Sequence, residues 1–241
     1  LHWLGLPPEE RPQLVLLYFS EPDGTAHRNG PDDPSVAATV TELDALLGRL
    51  LDGIEASPVA EHVHVLITSD HGMAPVPPDH VIYLDDYADL DGVRVIGNAT
   101  QAFLYFDGAE ERLWSTHDAL SERLEHARVF LREETPPGWH YDRDHRIGDL
   151  VVAADPGWIV ARREGRPWSG GGMHGWDPAV RDMHGIFLAA GPDLVPGVEL
   201  PAFENIHVYP LVARLLDLES PPAIDGRIEA VDTVLATPAR R

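Results

Sequence analysis

The chain of 241 residues contains no cysteine and no lysine. Without cysteine there can be no disulfide framework, no thiolate nucleophile and no Cys-type zinc site. All 18 basic residues are Arg, against 40 Asp and Glu, for a formal net charge of −22. The all-Arg usage reads as the coding bias of a GC-rich genome rather than as chemistry. So large a deficit of positive charge argues against phosphate-backbone binding, which relies on basic patches, and no nucleic-acid polymer is expected as a partner. A small anionic substrate stays open, because bound cations can invert the field inside a site. No apolar run approaches the roughly 20 residues needed to cross a bilayer. The opening Leu1-His2-Trp3-Leu4 lacks both a starting Met and signal-peptide character. The natural beginning is therefore expected elsewhere, and the compartment is not legible from this end.

Hydrophobic content of 44% and charged content of 24% are ordinary for a globular protein. The length suits one large α/β domain or a domain with a subdomain. Leu14-Val15-Leu16-Leu17-Tyr18-Phe19 reads as a buried strand closing on Glu21-Pro22-Asp23. From Ser35 to about Ile54, Val36, Val40, Leu43, Leu47, Leu50, Leu51 and Ile54 recur at helical spacing. His64–Ser69 reads as a second strand, so the order strand, helix, strand predicts a parallel βαβ unit. Between 73 and 166 short strand-like pieces (Val93–Ile96, Ala102–Phe106, Asp149–Ala153, Trp158–Ala161) flank a helical stretch from Thr116 to His126. This region is expected to be a small inserted α+β subdomain. Ile186–Ala190 reads as a further strand and Val208–Leu218 as a late helix.

Three short segments carry the chemistry. Asp23-Gly-Thr-Ala-His27 and Ser69-Asp70-His71-Gly72 each follow an apolar run, so both sit where parallel α/β sheets build their sites. Gly171-Gly172-Met173-His174-Gly175-Trp176-Asp177 is the third. A strand-end turn can aim Asp23 and His27 at one ion. Asp70 and His71 reach a common ion only if the backbone turns sharply, which Gly72 permits. His174 lies among glycines, either as an inward-pointing ligand or in a flexible surface loop. Carboxylate and imidazole suit zinc and similar divalent ions. Two such ions can activate a nucleophile and steady both oxygens of a phosphoryl displacement.

These residues resemble the nucleotide pyrophosphatase/phosphodiesterases of the alkaline phosphatase superfamily. The resemblance is carried by Tyr18–Asp23, Ser69–Met73, Gly172–Asp177, Met183–Phe187 with Gly191-Pro192, and Phe203–Pro210. It extends from about Leu6 to Asp225 and implies an alkaline-phosphatase-like, mainly parallel sheet with helices on both faces. It also implies two zinc ions, one held by Asp23, His27 and His174, the other by Asp70 and His71. Tyr18 matches a tyrosine that packs against the substrate's base; a core tyrosine is the competing reading. The family's Thr or Ser nucleophile, and an Asp that completes the second zinc site, match nothing here and are expected upstream. The N-terminal part of the fold is thus expected to be absent. The family usually carries Gly where this chain has Ala26, which allows fewer backbone conformations.

The implied activity is zinc-dependent hydrolysis of phosphodiester or pyrophosphate bonds in nucleotides or related small phosphodiesters, through a phosphorylated Thr or Ser. The polypeptide by itself is expected to be inactive and poorly soluble or partly folded, since missing strands would expose a hydrophobic edge. Thr25, Thr68 and Ser69 do not match the nucleophile. A phosphomonoesterase, phosphonate hydrolase or sulfatase of the same superfamily is the alternative enzyme, and a non-catalytic metal-binding fragment the alternative of another class. His184 and His207 read as structural, and Asp177 either orients His174 or lies exposed. Family habit implies an extracytoplasmic location; the oligomeric state is not legible.

Overall fold

Short apolar runs separated by Gly, Pro and Asp turns form a mixture of helices and strands. The computed structural model describes residues 1–97, 99–142, 144–165, 167–219 and 224–236. In chain order the helices and strands begin with α1 (Asp23–Asn29), α2 (Pro34–Glu55), β1 (Val65–Thr68), β2 (Ala74–Val76) and β3 (Val81–Tyr83). β4 (Arg94–Ile96), β5 (Gln101–Tyr105), α3 (Glu110–Arg123), β6 (Ala127–Leu131) and β7 (Leu150–Ala154) follow. β8 (Ile159–Ala161), β9 (Gly171–Met173), β10 (Phe187–Ala190) and α4 (Val208–Leu215) complete the order. Contacts divide the chain into two units, one of Leu1–Tyr18, Leu43–Asp70 and Ile186–Arg241, the other of Phe19–Glu42 and His71–Gly185. No helix among the described residues is long and apolar enough to cross a membrane.

The second unit is built on a four-stranded antiparallel sheet in the order β4-β5-β7-β6. All five residues of β7 are buried, so this strand is covered on both faces. Alternation divides them: Leu150, Val152 and Ala154 join Leu104, Leu120 and Val160, while Val151 and Ala153 meet Trp139 with Phe103 and Phe130 beside them. Burial on both faces explains why Leu150-Val-Val-Ala-Ala154 reads as continuous rather than alternating apolar sequence. Two short ladders extend the unit: β3 pairs parallel with β8, and β2 pairs antiparallel with β9.

In the first unit β1 pairs antiparallel with β10, with Leu66 opposite Ala189. Leu66, Phe187 and Ala189 pack toward Leu194, Leu211, Val231 and Val234. The parallel partner expected for β1 does not form. Leu14–Phe19 joins no strand, and Leu16 is 88% exposed. An apolar run becomes a strand only when a neighbour satisfies its backbone groups, and no ladder among the described residues includes this one.

Helix α2 forms within one residue of its expected bounds. Asp33 Oδ1 accepts the Ser35 N–H at 2.9 Å, an N-terminal cap ahead of Pro34. Its apolar stripe is nevertheless not buried, with Val40, Leu46 and Leu51 exposed. Periodicity specifies the helix; burial needs a covering surface. Helix α3 begins earlier than expected, because Glu110 and Glu111 in the first turn suit the positive end of the helix dipole. The other expected strands in this region form within about a residue of their bounds, as β4, β5, β7 and β8.

Leu104 is fully buried between β4 and β7. Leu104→Ala should cost the second unit about 2–5 kcal/mol, read as faster amide exchange across β5 and β7 by hydrogen-exchange mass spectrometry. Unchanged protection would show that this sheet is not the stable part of the unit.

Candidate metal centre

The segment expected to be a loop at Asp23 is helix α1. Its seven residues are short for an independent helix, and polar groups at its start hold it. Glu21 Oε2 accepts the Thr25 N–H at 2.8 Å, and Asp23 occupies the first turn. That hydrogen bond, followed by the Thr25 hydroxyl and then by Arg28, holds the Glu21 carboxyl below its ordinary value. Helical geometry places Asp23 and His27 on one face, one turn apart, with His27 Nε2 3.3 Å from Asp23 Oδ1. Ala26 is helical and buried. Its narrower conformational range relative to Gly therefore carries no penalty.

His71 and His174 come together through the β2–β9 ladder. Ala74 stands opposite Met173, so the residues just before β2 lie alongside those just after β9. Gly72 serves this arrangement by close approach: a Cβ there would collide with the Asp182 carbonyl, and its N–H donates to Met183 O at 3.0 Å. Helix α1 lies directly on β9. A Cβ on Gly171, whose φ is +138°, would collide with the His27 carbonyl, and one on Gly172 would stand 2.5 Å from the Ala26 oxygen. The glycine tract before His174 is thus a packing floor for α1 rather than a flexible loop.

The ring orientations follow from backbone bonds. His27 Nδ1–H donates to Gly172 O at 2.7 Å, and His71 Nδ1–H donates to Gly72 O at 2.8 Å. In neutral imidazoles this leaves Nε2 as the lone-pair nitrogen of each ring. His174 Nε2 lies 3.7 Å from Asp23 Oδ1. The His71 and His174 rings stack at 3.4 Å with 8° between planes, and the His27 and His174 centroids are 5.0 Å apart. Ligand atoms of Asp23, His71 and His174 all lie within 4.8 Å of one another.

Asp23 Oδ1 is buried and has no hydrogen-bond partner among the described residues. The rest of the Asp23 side chain is exposed, so this oxygen is the part of the carboxylate that faces the two imidazoles rather than solvent. Ligand atoms about 2.1 Å from a tetrahedral zinc ion stand about 3.4 Å apart, close to both imidazole–carboxylate separations here. The donor set and its spacing therefore fit a divalent cation.

Asp70 and Tyr18 belong to the first unit, where Asp70 is exposed after β1 and Tyr18 is 78% exposed rather than a core residue. Asp177 Oδ1 accepts the Ala179 N–H at 2.9 Å and so secures a turn. His184 is exposed at the end of the 3-10 turn Arg181–Met183. His207 is buried in the first unit, where Nδ1 accepts the Arg227 N–H at 3.1 Å. Sequence reasoning missed Glu21 and Thr100. The only signal for Glu21 was its spacing of four residues from Thr25.

A family model for type I phosphodiesterase / nucleotide pyrophosphatase matches residues 1–177. Human ectonucleotide pyrophosphatase/phosphodiesterase family member 5 is 32% identical over 209 residues, which are 87% of this chain and 43% of that protein. The solved human structure of that protein superposes with a TM-score of 0.83 at 30% identity, covering 92% of this chain and 58% of that one. An inactive threonine-to-alanine variant of the murine protein, solved in complex with AMP, gives 0.82 at 32% identity, covering 91% and 58%. The chain thus spans less than half of the first relative's sequence and just over half of the solved chains. The α/β class and alkaline-phosphatase-like architecture implied by the motifs hold over the matched region, but the mainly parallel pairing expected does not: among the described residues β3–β8 is the one parallel ladder, and the others are antiparallel.

Gly171→Ala should lift α1 from β9 and weaken divalent-cation binding by at least about tenfold, measured by chelator competition; unaltered affinity would show that α1 does not depend on this contact. The stabilisation Glu21 gives α1 is present above its unfolded pKa and is lost as pH falls through the lowered folded value. The Thr25 amide resonance should accordingly titrate with a midpoint below 4.5; a midpoint at or above that value would remove Glu21 from this role.

Proposed function

The chain belongs to the type I phosphodiesterase / nucleotide pyrophosphatase family, and from that premise we propose that it serves metal-dependent hydrolysis of phosphodiester or pyrophosphate bonds. The proposed substrates are nucleotides or related small phosphodiesters, supported by the AMP bound to the murine relative. The observation that carries the reading is the buried Asp23 Oδ1, which accepts no hydrogen bond among the described residues and is flanked by the imidazoles of His27 and His174.

Asp23, His27 and His174 are assigned to one zinc ion, and His71 with Asp70 to a second. The clustering of Asp23, His71 and His174 supports a shared centre. Bound divalent ions would polarise the phosphoryl group and stabilise the attacking and leaving oxygens. The residues of this chain fix Nε2 of His27 and His71 through backbone carbonyls and keep the Asp23 oxygen away from water. Tyr18 is assigned to stack on the substrate's base, which its exposed ring permits.

The proposed pathway phosphorylates a Thr or Ser, in line with the inactivity of the threonine-to-alanine murine variant. No hydroxyl near the motifs is assigned that role. Thr25 Oγ1 accepts from Arg28 at 3.1 Å, Ser69 Oγ accepts the Ile186 N–H at 2.9 Å, and Thr68 Oγ1 donates to Ser69 O at 3.2 Å. An extracytoplasmic setting is proposed from the "ecto" designation of the matched relative.

Zinc retention and zinc-dependent binding of AMP by this chain test the reading. Chelation should abolish AMP binding, and His174→Ala should lower zinc affinity at least about a hundredfold, a loss of some 2.7 kcal/mol. Turnover of bis(p-nitrophenyl) phosphate that chelation stops would add that this chain is catalytically competent by itself, against the expectation of an upstream nucleophile. A folded chain that retains no zinc, or that binds zinc but not AMP, would refute the proposal.

A further inference from the structure

His174 occupies a connection whose backbone no helix or strand fixes. It follows the last residue of β9 and precedes Gly175, whose φ is +98°. Its ring nonetheless stands 3.7 Å from Asp23 Oδ1 and lies nearly parallel to His71. A metal ligand must be held to within about 0.5 Å by the groups around it, so something must hold this peptide.

The holding groups come from the ends of β5 and β8. Thr100 Oγ1 donates to the His174 carbonyl at 3.2 Å, Gln101 Nε2 donates to the Gly175 carbonyl at 3.3 Å, and Trp176 Nε1 donates to the Trp158 carbonyl at 3.0 Å. His174 and Gly175 are thereby tied to the start of β5 in the four-stranded sheet, and Trp176 to the residue before β8. Thr100 is the innermost of these anchors. It is 5% exposed, and its own carbonyl accepts the Ala154 N–H at 2.9 Å at the end of β7. A buried hydroxyl is costly unless bonded, so the His174 carbonyl satisfies Thr100 as Thr100 fixes His174. A Cβ on Gly175 would stand 2.8 Å from Thr100 Oγ1. The hydroxyl therefore fills the space that a glycine at this position leaves open.

We propose that Thr100 is a positioning residue for the metal centre: its hydroxyl, carried on the buried β5–β7 sheet, fixes the His174 peptide and thereby the approach of the imidazole to Asp23. This rests on the metal-binding reading above. It gives the 73–166 region a role in the site, as the rigid body against which the loop is set. It also separates Thr100 from hydroxyls that merely cap turns, since its acceptor is the backbone of a ligand.

The test measures zinc affinity of the intact chain by competition with a chromophoric chelator, together with the visible spectrum of the cobalt-substituted chain and the melting temperature of the metal-free chain. Thr100→Val keeps the shape and removes the donor. It should weaken zinc binding by about 10–100-fold and lower the intensity of the tetrahedral cobalt bands, while Thr100→Ser should stay within about threefold of the parent. Gly175→Ala presses on the same hydroxyl from the loop side and should weaken zinc as Thr100→Val does. It also keeps the question answerable if the valine variant does not fold. Parental affinity in Thr100→Val, or in a folded Gly175→Ala when the valine variant does not fold, overturns the proposal. So does equal loss in the serine and valine variants. A loss confined to the metal-free melting temperature, with affinity and spectrum intact, also overturns it by showing a purely structural role. A parent chain that binds no zinc sinks this proposal together with the functional reading; a parent that binds zinc with an indifferent Thr100→Val sinks this one alone.

Discussion

The contact between α1 and β9 is the constraint on which the rest of the centre depends. Two glycines, 171 and 172, let the helix backbone come so close that side chains at either position would meet the carbonyls of His27 and Ala26. Only at that distance does Gly172 O reach His27 Nδ1. The same approach brings Asp23 Oδ1 to His174 Nε2. That oxygen accepts no hydrogen bond among the described residues and faces two imidazole nitrogens, a donor set suited to a divalent cation.

Support for this contact comes from sequence far from either motif. β2 and β9 form only a three-residue ladder, too short to be rigid alone. Rigidity is borrowed from the four-stranded sheet, where β7 is buried on both faces, through the polar bonds from Thr100 and Gln101, while Trp176 ties the loop to the residue before β8. The chain therefore separates labour: an apolar sheet supplies stability, and a few side-chain hydrogen bonds pass its rigidity to loops that have none of their own.

Much of the local structure was legible. Apolar periodicity located α2 within a residue, and continuous apolar stretches marked β5, β7 and β10, because these signals depend on near neighbours in sequence. The misreadings share a cause. Asp23–Asn29 looked like a loop because Pro22 and Gly24 are punctuating residues, whereas the Glu21 carboxylate and tertiary packing on β9 favoured about two turns of helix. Leu14–Phe19 looked like a strand because its composition suits one. Strand formation, however, requires a partner that composition cannot supply. Gly72 was credited with conformational freedom, but what it provides is space beneath the Asp182 carbonyl.

The sequence by itself determined the candidate ligand types, their order and the family they mark, because Asp-Gly-Thr-Ala-His, Ser-Asp-His-Gly and Gly-Met-His-Gly-Trp-Asp are local patterns. It also determined that no thiolate could take part. Only the tertiary structure decided that His71 stacks on His174 across the β2–β9 ladder, that one buried oxygen of Asp23 accepts no hydrogen bond among the described residues, and that Thr100 bonds the His174 backbone. Each of these joins residues more than 70 positions apart or turns on burial. No short-range pattern encodes such distances, because they are set by how strands register and how closely backbones can approach.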